Sequence, residues 1–280
     1  MDKKILFTDL DGTLLKDDKN ISDITRNKII QMLLNGNHFV LASGRPVKSI
    51  LDVLDSIQIK AAVLNADKST VGGIYATAYN GALIYDCIAD RSIEEYRVPM
   101  DISQQLFDMA IEAQIHIHTY ISNTIISIAE DKELEFYTRN VKLPFEVETK
   151  LIGKYDLAPF KLIAIDLEDR GRLESFRQRI EESELGKIIT CAFSNDNYLE
   201  FYSNKAGKGK ALINLCKYLE IPVENAIAAG DEENDVSMVS AAGIGVALAN
   251  ANPILKNIAD YVTDNDNNHD GMVEIIDKFV

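Results

Sequence analysis

The stretch ILFTDLDGTLL, Ile5–Leu15, constrains the fold of this chain more than any other. Ile5, Leu6 and Phe7 form a compact apolar run bounded by polar residues. That pattern predicts a short strand buried on both faces, as inside a parallel sheet. Asp9 and Asp11 stand at its carboxyl end, and an extended backbone turns residues two apart toward the same side. Gly12 then lets the chain turn sharply. Ligands of open α/β sheets bind in the crevice at the carboxyl ends of the strands. The first strand therefore delivers two acids to a place where chemistry occurs.

Two carboxylates a few Å apart raise each other's pKa unless a cation or donors offset them. Two needs justify such a pair. One is a hard divalent metal such as Mg²⁺, which takes oxygen ligands. The other is a nucleophile beside a general acid/base. The plainer alternative is a polar turn, since Asp-Gly is a common turn former.

Composition narrows the classes. The 280 residues are 46% apolar and 26% charged, which suits one large domain or two modest ones with real cores. Net charge is −15 and the pI is about 4.7, with no Lys/Arg stripe of the kind a nucleic acid needs. An acidic protein that handles anions must build local positive charge from a metal, lysines and helix N-termini. Apolar runs fall far short of a membrane span. The N-terminus enters a strand without signal-peptide architecture, so cytoplasm is the expected location. Cys87, Cys191 and Cys216 show no paired spacing and are expected as buried free thiols. Monomer and dimer are equally compatible with the sequence.

Along the chain, Ser22 is an N-cap for a helix carrying Ile24, Ile29, Ile30, Leu33 and Leu34, with Gly36 as its stop. Phe39–Ala42 is a second apolar strand, ending at Ser43, Gly44 and Arg45. Pro46 suits the first position of a helix bearing Val47, Ile50, Leu51 and Leu54. This β-α-β-α order predicts a doubly wound parallel sheet, with Ser43 brought near Asp9. Ala61–Asn65 is a third strand candidate, Asp67–Gly73 a turn, and Asn80-Gly81 a hairpin turn. From about Cys87 to Asn197 the pattern changes to grouped strands and amphipathic helices, an α+β module inserted in the first domain. The doubly wound pattern returns near Leu199. Lys208-Gly209-Lys210 opens a helix, and the strand Ala226–Ala229 leads through Gly230 to Asp231-Glu232-Glu233-Asn234-Asp235.

Asp9, Asp11, Asp231 and Asp235 would then share one crevice and repel without a cation. Oxygen-only ligands favour Mg²⁺. Lys208 and Ser43 add a point charge and a hydroxyl, a set that suits a phosphate dianion. No Ser-His or Cys-His order for acyl transfer is evident.

At this point the chain resembles the haloacid dehalogenase superfamily, and within it the Cof-type phosphatases of subfamily IIB. Four ordered motifs carry the likeness: DLDGT at Asp9–Thr13, ASGR at Ala42–Arg45, Lys208 in AGKGKAL, and GDEENDVSM at Gly230–Met238. NGA at Asn80–Ala82 and the closing HDGMVEII are further echoes. The resemblance implies a Rossmann-like α/β core, residues 1–85 and 198–280, with an α/β cap, residues 86–197. It implies a Mg²⁺-dependent phosphatase for small phosphorylated metabolites, with no nucleic-acid or membrane partner. Asp9 would attack phosphorus and form an aspartyl-phosphate. Asp11 would protonate the leaving group, then activate water, and its backbone carbonyl would ligate the metal. Asp231 would ligate the metal beside Asp9, with Asp235 in support. Ser43, Gly44 and Asn234 would hold phosphate oxygens together with Lys208. Thr13 would orient Asp9 or its loop, and Arg45 would stand at the pocket mouth. Lys208 is chosen over Lys210 on the family's Lys-Gly-x-Ala-Leu pattern. The segment Asn65–Tyr79 is longer than the family's usual link into NGA.

His116 and His118 share a strand face and are expected as polar hairpin positions, or else as substrate contacts. Asp266-x-Asn268-x-Asp270-Gly271 resembles a calcium loop but lacks Glu at its twelfth position. GKGK is not a nucleotide loop, because neither Lys is followed by Ser or Thr. Two rival activities remain beside hydrolysis: transfer of the phosphoryl group to a sugar hydroxyl, and metabolite binding without chemistry.

Overall fold

The computed structural model describes residues 3–65 and 71–280. The chain divides into two compact units, Met1–Glu95 with Ala206–Val280, and Tyr96–Lys205.

The first unit begins with β1 (Ile5–Thr8), α1 (Asp23–Leu34), β2 (His38–Ala42), α2 (Val47–Ser56), α3 (Ile59–Leu64), β3 (Ile74–Ala78), β4 (Leu83–Asp86) and β5 (Arg91–Glu95). The second unit contains α4 (Met100–Ala113), β6 (His116–Ile121), β7 (Thr124–Ser127), α5 (Lys132–Asn140), β8 (Phe145–Val147), β9 (Lys161–Ile165), α6 (Arg170–Glu181), β10 (Ile189–Asn195) and β11 (Tyr198–Ser203). The first unit resumes with α7 (Lys208–Tyr218), β12 (Ala226–Gly230), α8 (Val236–Ala241), β13 (Ile244–Ala247), α9 (Pro253–Ile258), β14 (Tyr261–Val262) and α10 (Gly271–Phe279).

The core sheet runs β14-β13-β12-β1-β2-β3-β4-β5, parallel from β14 to β3 and closed by the antiparallel strands β4 and β5. Its centre is β1, whose Ile5, Leu6 and Phe7 are fully buried. Ile5 and Phe7 pack with Val40, Leu212, Leu215 and Met238, so α7 and α8 cover that face. On the other, α1 lies beside α10 and β2. Burial on both faces explains why these strands read as unbroken apolar runs rather than alternating ones. Ser22 caps α1 by accepting the Thr25 backbone N–H at 3.0 Å. Because β1 lies between β2 and β12 in parallel register, the chain segments after Thr8, Ala42 and Gly230 leave the sheet at one end.

Two expectations are corrected here. Ala61–Asn65 is not a strand: Ala61–Leu64 belongs to α3, where Ile59 and Val63 are buried one turn apart. Two consecutive alanines favour helix, and the third parallel strand is β3, paired with β2. The expected turn Asp67–Gly73 lies partly outside the described residues. The unit boundaries also shift. β5 pairs with β4 and stays in the core sheet, whereas β11 pairs with β9 and β10. The return to the doubly wound pattern therefore comes after Lys205 rather than near Leu199.

The second unit has its own sheet, β10-β11-β9-β6-β7-β8. One face packs on α4 and α6 through Ile117, Phe201, Leu106, Phe107, Leu173 and Phe176. Cys87, Cys191 and Cys216 are buried and unpaired. No helix among the described residues is long and apolar enough to cross a membrane.

Candidate active site

The segments that leave β1 and β12 carry the acids. Asp9 N–H donates to Ala229 O at 3.0 Å, which fixes the end of β1 on its neighbour. Asp9, Asp231 and Asp235 each place a carboxylate oxygen within 4.8 Å of the others. Between them stands Lys208, buried at the first position of α7. Its Nζ donates to Asp9 Oδ1 at 2.6 Å and to Asp235 Oδ1 at 2.5 Å. Lys210 is exposed. Asp235 also accepts the backbone N–H groups of Asp231 and Glu232 on Oδ2, at 3.1 and 3.2 Å, so it holds the loop that presents Asp231. Thr13 Oγ1 donates to Asp231 Oδ1 at 2.7 Å, tying the turn after β1 to the loop after β12. That turn admits only glycine at position 12: φ is +78°, and a Cβ would lie 2.2 Å from Asp231 Oδ2.

Burial pushes the Asp9 carboxyl up to about 8, with Lys208 opposing and Asp235 adding to the rise. Burial likewise pushes Asp231 up to about 7 against the Thr13 hydrogen bond. Burial alone would lower the Lys208 ammonium, but Asp235 and Asp9 outweigh it and raise its pKa. One ammonium thus faces three carboxylates. Oxygen donors that are crowded, desolvated and short of positive charge fit a hard divalent cation. Asp9 and Asp231 would hold it, with the Asp11 carbonyl and Asp235 in support.

This charge imbalance predicts a pH dependence. A carboxyl whose pKa is higher folded than unfolded loses folded-state stability as pH rises between the two values. For Asp9 and Asp231 that interval runs from the usual carboxylate range up to about 8 and about 7. His38, lowered to about 4 by burial and by Lys3, acts in the opposite direction, but only below its ordinary value of 6.5. In chelator, the melting temperature is expected to fall between pH 6.5 and 8.5. Added Mg²⁺ should raise it most at the upper end, where the acids are ionised. Melting curves across that range check this, and a stabilisation by Mg²⁺ equal at both ends would contradict it.

Asp11 points elsewhere. Its carboxylate takes a two-pronged contact from Arg45, Nε to Oδ2 at 2.8 Å and Nη2 to Oδ1 at 2.6 Å. Lys19 Nζ adds a third contact at 2.8 Å. Burial works to raise its pKa, but Lys19 and Arg45 prevail and hold it below the usual carboxylate range. Asp11 is therefore ionised, the state of a base rather than an acid.

Ser43 is buried at the end of β2, where its Oγ accepts Arg45 N–H at 3.2 Å and its N–H donates to Thr77 O at 2.9 Å. Gly44 follows against Asn80, which stands 2.8 Å from where a Cβ would be. Asn234 Oδ1 and Thr77 Oγ1 are buried with no hydrogen-bond partner among the described residues. Asn234 lies in the short turn Glu233–Asp235, between the two acids of its loop. A buried oxygen without a donor fits a site completed by a ligand or water.

The sequence reading missed Lys19 and Asn250. Lys19 lies in a polar loop with no motif around it. Asn250 donates its side-chain N–H to Gly12 O at 2.8 Å, and no local pattern marks it.

The remaining candidates are structural. His116 and His118 are buried in the second unit rather than displayed as polar hairpin positions. His116 Nδ1 lies 2.9 Å from Asp131 Oδ2, and its Nε2 lies 3.0 Å from His118 Nδ1. The two rings and the carboxylate thus form one hydrogen-bonded chain, Asp131–His116–His118. Asp266 spends Oδ1 on the N–H groups of Asn268 and His269, both at 2.9 Å. Asp270 Oδ1 accepts from Thr25 Oγ1 at 3.1 Å. These acids cap and tether rather than encircle a cation.

A family model described as haloacid dehalogenase-like hydrolase matches residues 6–276. Phosphatase YwpJ of Bacillus subtilis is 27% identical over 95% of this chain and 96% of its own. The 5-amino-6-(5-phospho-D-ribitylamino)uracil phosphatase YitU of the same organism is 25% identical over 98% of this chain and 97% of its own. A solved haloacid dehalogenase-like hydrolase from Bacteroides thetaiotaomicron matches with a TM-score of 0.84 at 27% identity, covering 99% of this chain and 100% of that one. The chain belongs to the haloacid dehalogenase-like hydrolases. Within that family it is an enzyme of the phosphatase kind.

Proposed function

We propose that the chain is a Mg²⁺-dependent phosphomonoester hydrolase for small phosphorylated metabolites, working through an aspartyl-phosphate on Asp9. The buried grouping of Asp9, Lys208, Asp231 and Asp235 carries this reading. A divalent cation there would supply positive charge to offset the repulsion between a carboxylate nucleophile and a phosphate dianion.

The chain's own residues do the rest. A carboxylate oxygen of Asp9 attacks phosphorus, and the bond from phosphorus to the leaving oxygen breaks. Lys208 neutralises charge on Asp9 and on the transferring group. Ser43, the backbone at Gly44, and Asn234 hold the phosphate oxygens. Asp11, ionised in the free protein, first takes a proton from solvent as substrate displaces its cationic contacts, then gives that proton to the leaving alkoxide. It then takes one from the water that attacks the aspartyl-phosphate, which restores the Asp9 carboxylate and releases inorganic phosphate. The contacts from Arg45 and Lys19 keep Asp11 ready for the second role. Loosening them favours the protonated form that the first role needs.

The leaving group is a small organic alcohol. The named substrate of the Bacillus subtilis relative, a phosphorylated ribityl group on a pyrimidine, supports sugar-like or cofactor-like phosphates as the class to test first. The test offers an aryl phosphate, sugar phosphates and phosphorylated cofactors with Mg²⁺ and measures phosphate release. Release that vanishes in chelator and returns with Mg²⁺ is expected. Silence across the panel would instead support a binding protein. Phosphosugar formed in place of free phosphate would mark a transferase.

A further inference from the structure

We propose that the turn Tyr79–Gly81 is a positioning element that spaces the Ser43–Arg45 loop from the Lys208 end of α7, with Asn80 as its central residue. This deepens the phosphatase reading and rests on it.

The backbone itself marks the turn. Tyr79, Asn80 and Gly81 have φ of 52°, 59° and 83°, three left-handed residues in succession. Only the last is a glycine. Asn tolerates this conformation, but for Tyr it is unfavourable and persists only where the surroundings impose it. Both residues are buried.

On one side the turn grips the loop after β2. Tyr79 N–H donates to Arg45 O and Asn80 N–H to Ser43 O, both at 3.1 Å. The side-chain oxygen of Asn80 stands 2.8 Å from where a Cβ on Gly44 would be. The Ser43–Arg45 loop is thus bonded to the turn at both ends, and Asn80 fills the space a side chain at position 44 would take. On the other side the turn abuts the residue that precedes Lys208. A Cβ on Gly81 would lie 2.6 Å from Gly207 O and 3.0 Å from the Ala211 Cβ. The turn therefore has a fixed width, with the proposed phosphate-holding Ser43 on one flank and Lys208 on the other. Asn80 acts through that loop, so it is a positioning residue and not a catalytic one.

The test uses N80G, G44A and the double variant. Glycine adopts the left-handed conformation without strain, so a role limited to the turn predicts that N80G is as active as wild type. Positioning predicts a different pattern. N80G should remain folded, while kcat/KM falls about 10- to 100-fold. Inorganic phosphate should become a correspondingly weaker competitive inhibitor. G44A should lose activity, and adding N80G to it should restore part, because the new methyl group meets the Asn80 oxygen. N80G at wild-type kcat/KM, with G44A indifferent to N80G, would overturn the proposal and leave the phosphatase reading intact. A wild type that releases no phosphate would remove both.

Discussion

Asp9→Asn is expected to yield a folded protein whose phosphate release falls about 10⁴-fold or more. The substitution keeps shape and hydrogen-bonding length but exchanges a carboxylate oxygen for an amide, which cannot form the covalent phosphoryl bond. Stability should move the other way. Asp9 is a desolvated acid with its pKa pushed up to about 8, so its ionisation opposes folding at alkaline pH. D9N should therefore flatten the decline of melting temperature between pH 6.5 and 8.5 in chelator. Phosphate release and melting curves on one preparation check both halves. Activity within tenfold of wild type would remove Asp9 from the nucleophile's place.

Lys208→Met is expected to have the largest effect on stability. The Lys208 ammonium joins two buried carboxylates, at 2.6 and 2.5 Å. Removing one partner of a buried ionic group leaves uncompensated charge and costs about 3–5 kcal/mol. Methionine retains most of the stem, so lost packing contributes little. Turnover should fall about 10²- to 10³-fold, the usual loss for a donor that meets developing charge. The double variant K208M/D235N should regain part of the stability but not the turnover, because a neutral amide at position 235 no longer brings a buried charge. Lys210→Met, on the exposed face of the same helix, should change stability by no more than about 0.5 kcal/mol. Denaturant unfolding of the four proteins checks this. A K208M protein as stable as K210M would mean that the two acids do not need the ammonium.

What the sequence made legible follows from where the physics is local. A strand buried on both faces writes itself as an apolar run, so β1, β2 and β12 could be placed. Asp9 and Asp231 could be placed as well, because each follows directly on its strand. Edge strands have no such signature. Arg91–Glu95 is charged and largely exposed, and Phe145–Val147 is short, so β5 and β8 were invisible and the boundary near Glu95 was misplaced. Ala61–Asn65 misled because a short apolar run cannot choose between helix and strand without its partners. In the site, the motifs pointed to Asp11 as acid and then base, and the structure adds that Arg45 and Lys19 hold it ionised. Those cations come from two different loops, and pairing between loops leaves no periodic trace.

The position of β1 between β2 and β12 has a consequence for how the molecule is made. Ile5 aligns with His38 on one side and with Ala226 on the other. At ribosomal speed those neighbours emerge on the order of tens of seconds apart. Throughout that delay, which includes the synthesis of the whole 96–205 unit, the newborn first strand keeps one bare hydrogen-bonding edge. Such an edge is a template for intermolecular pairing. Chains truncated before Ala226 should therefore be chaperone clients.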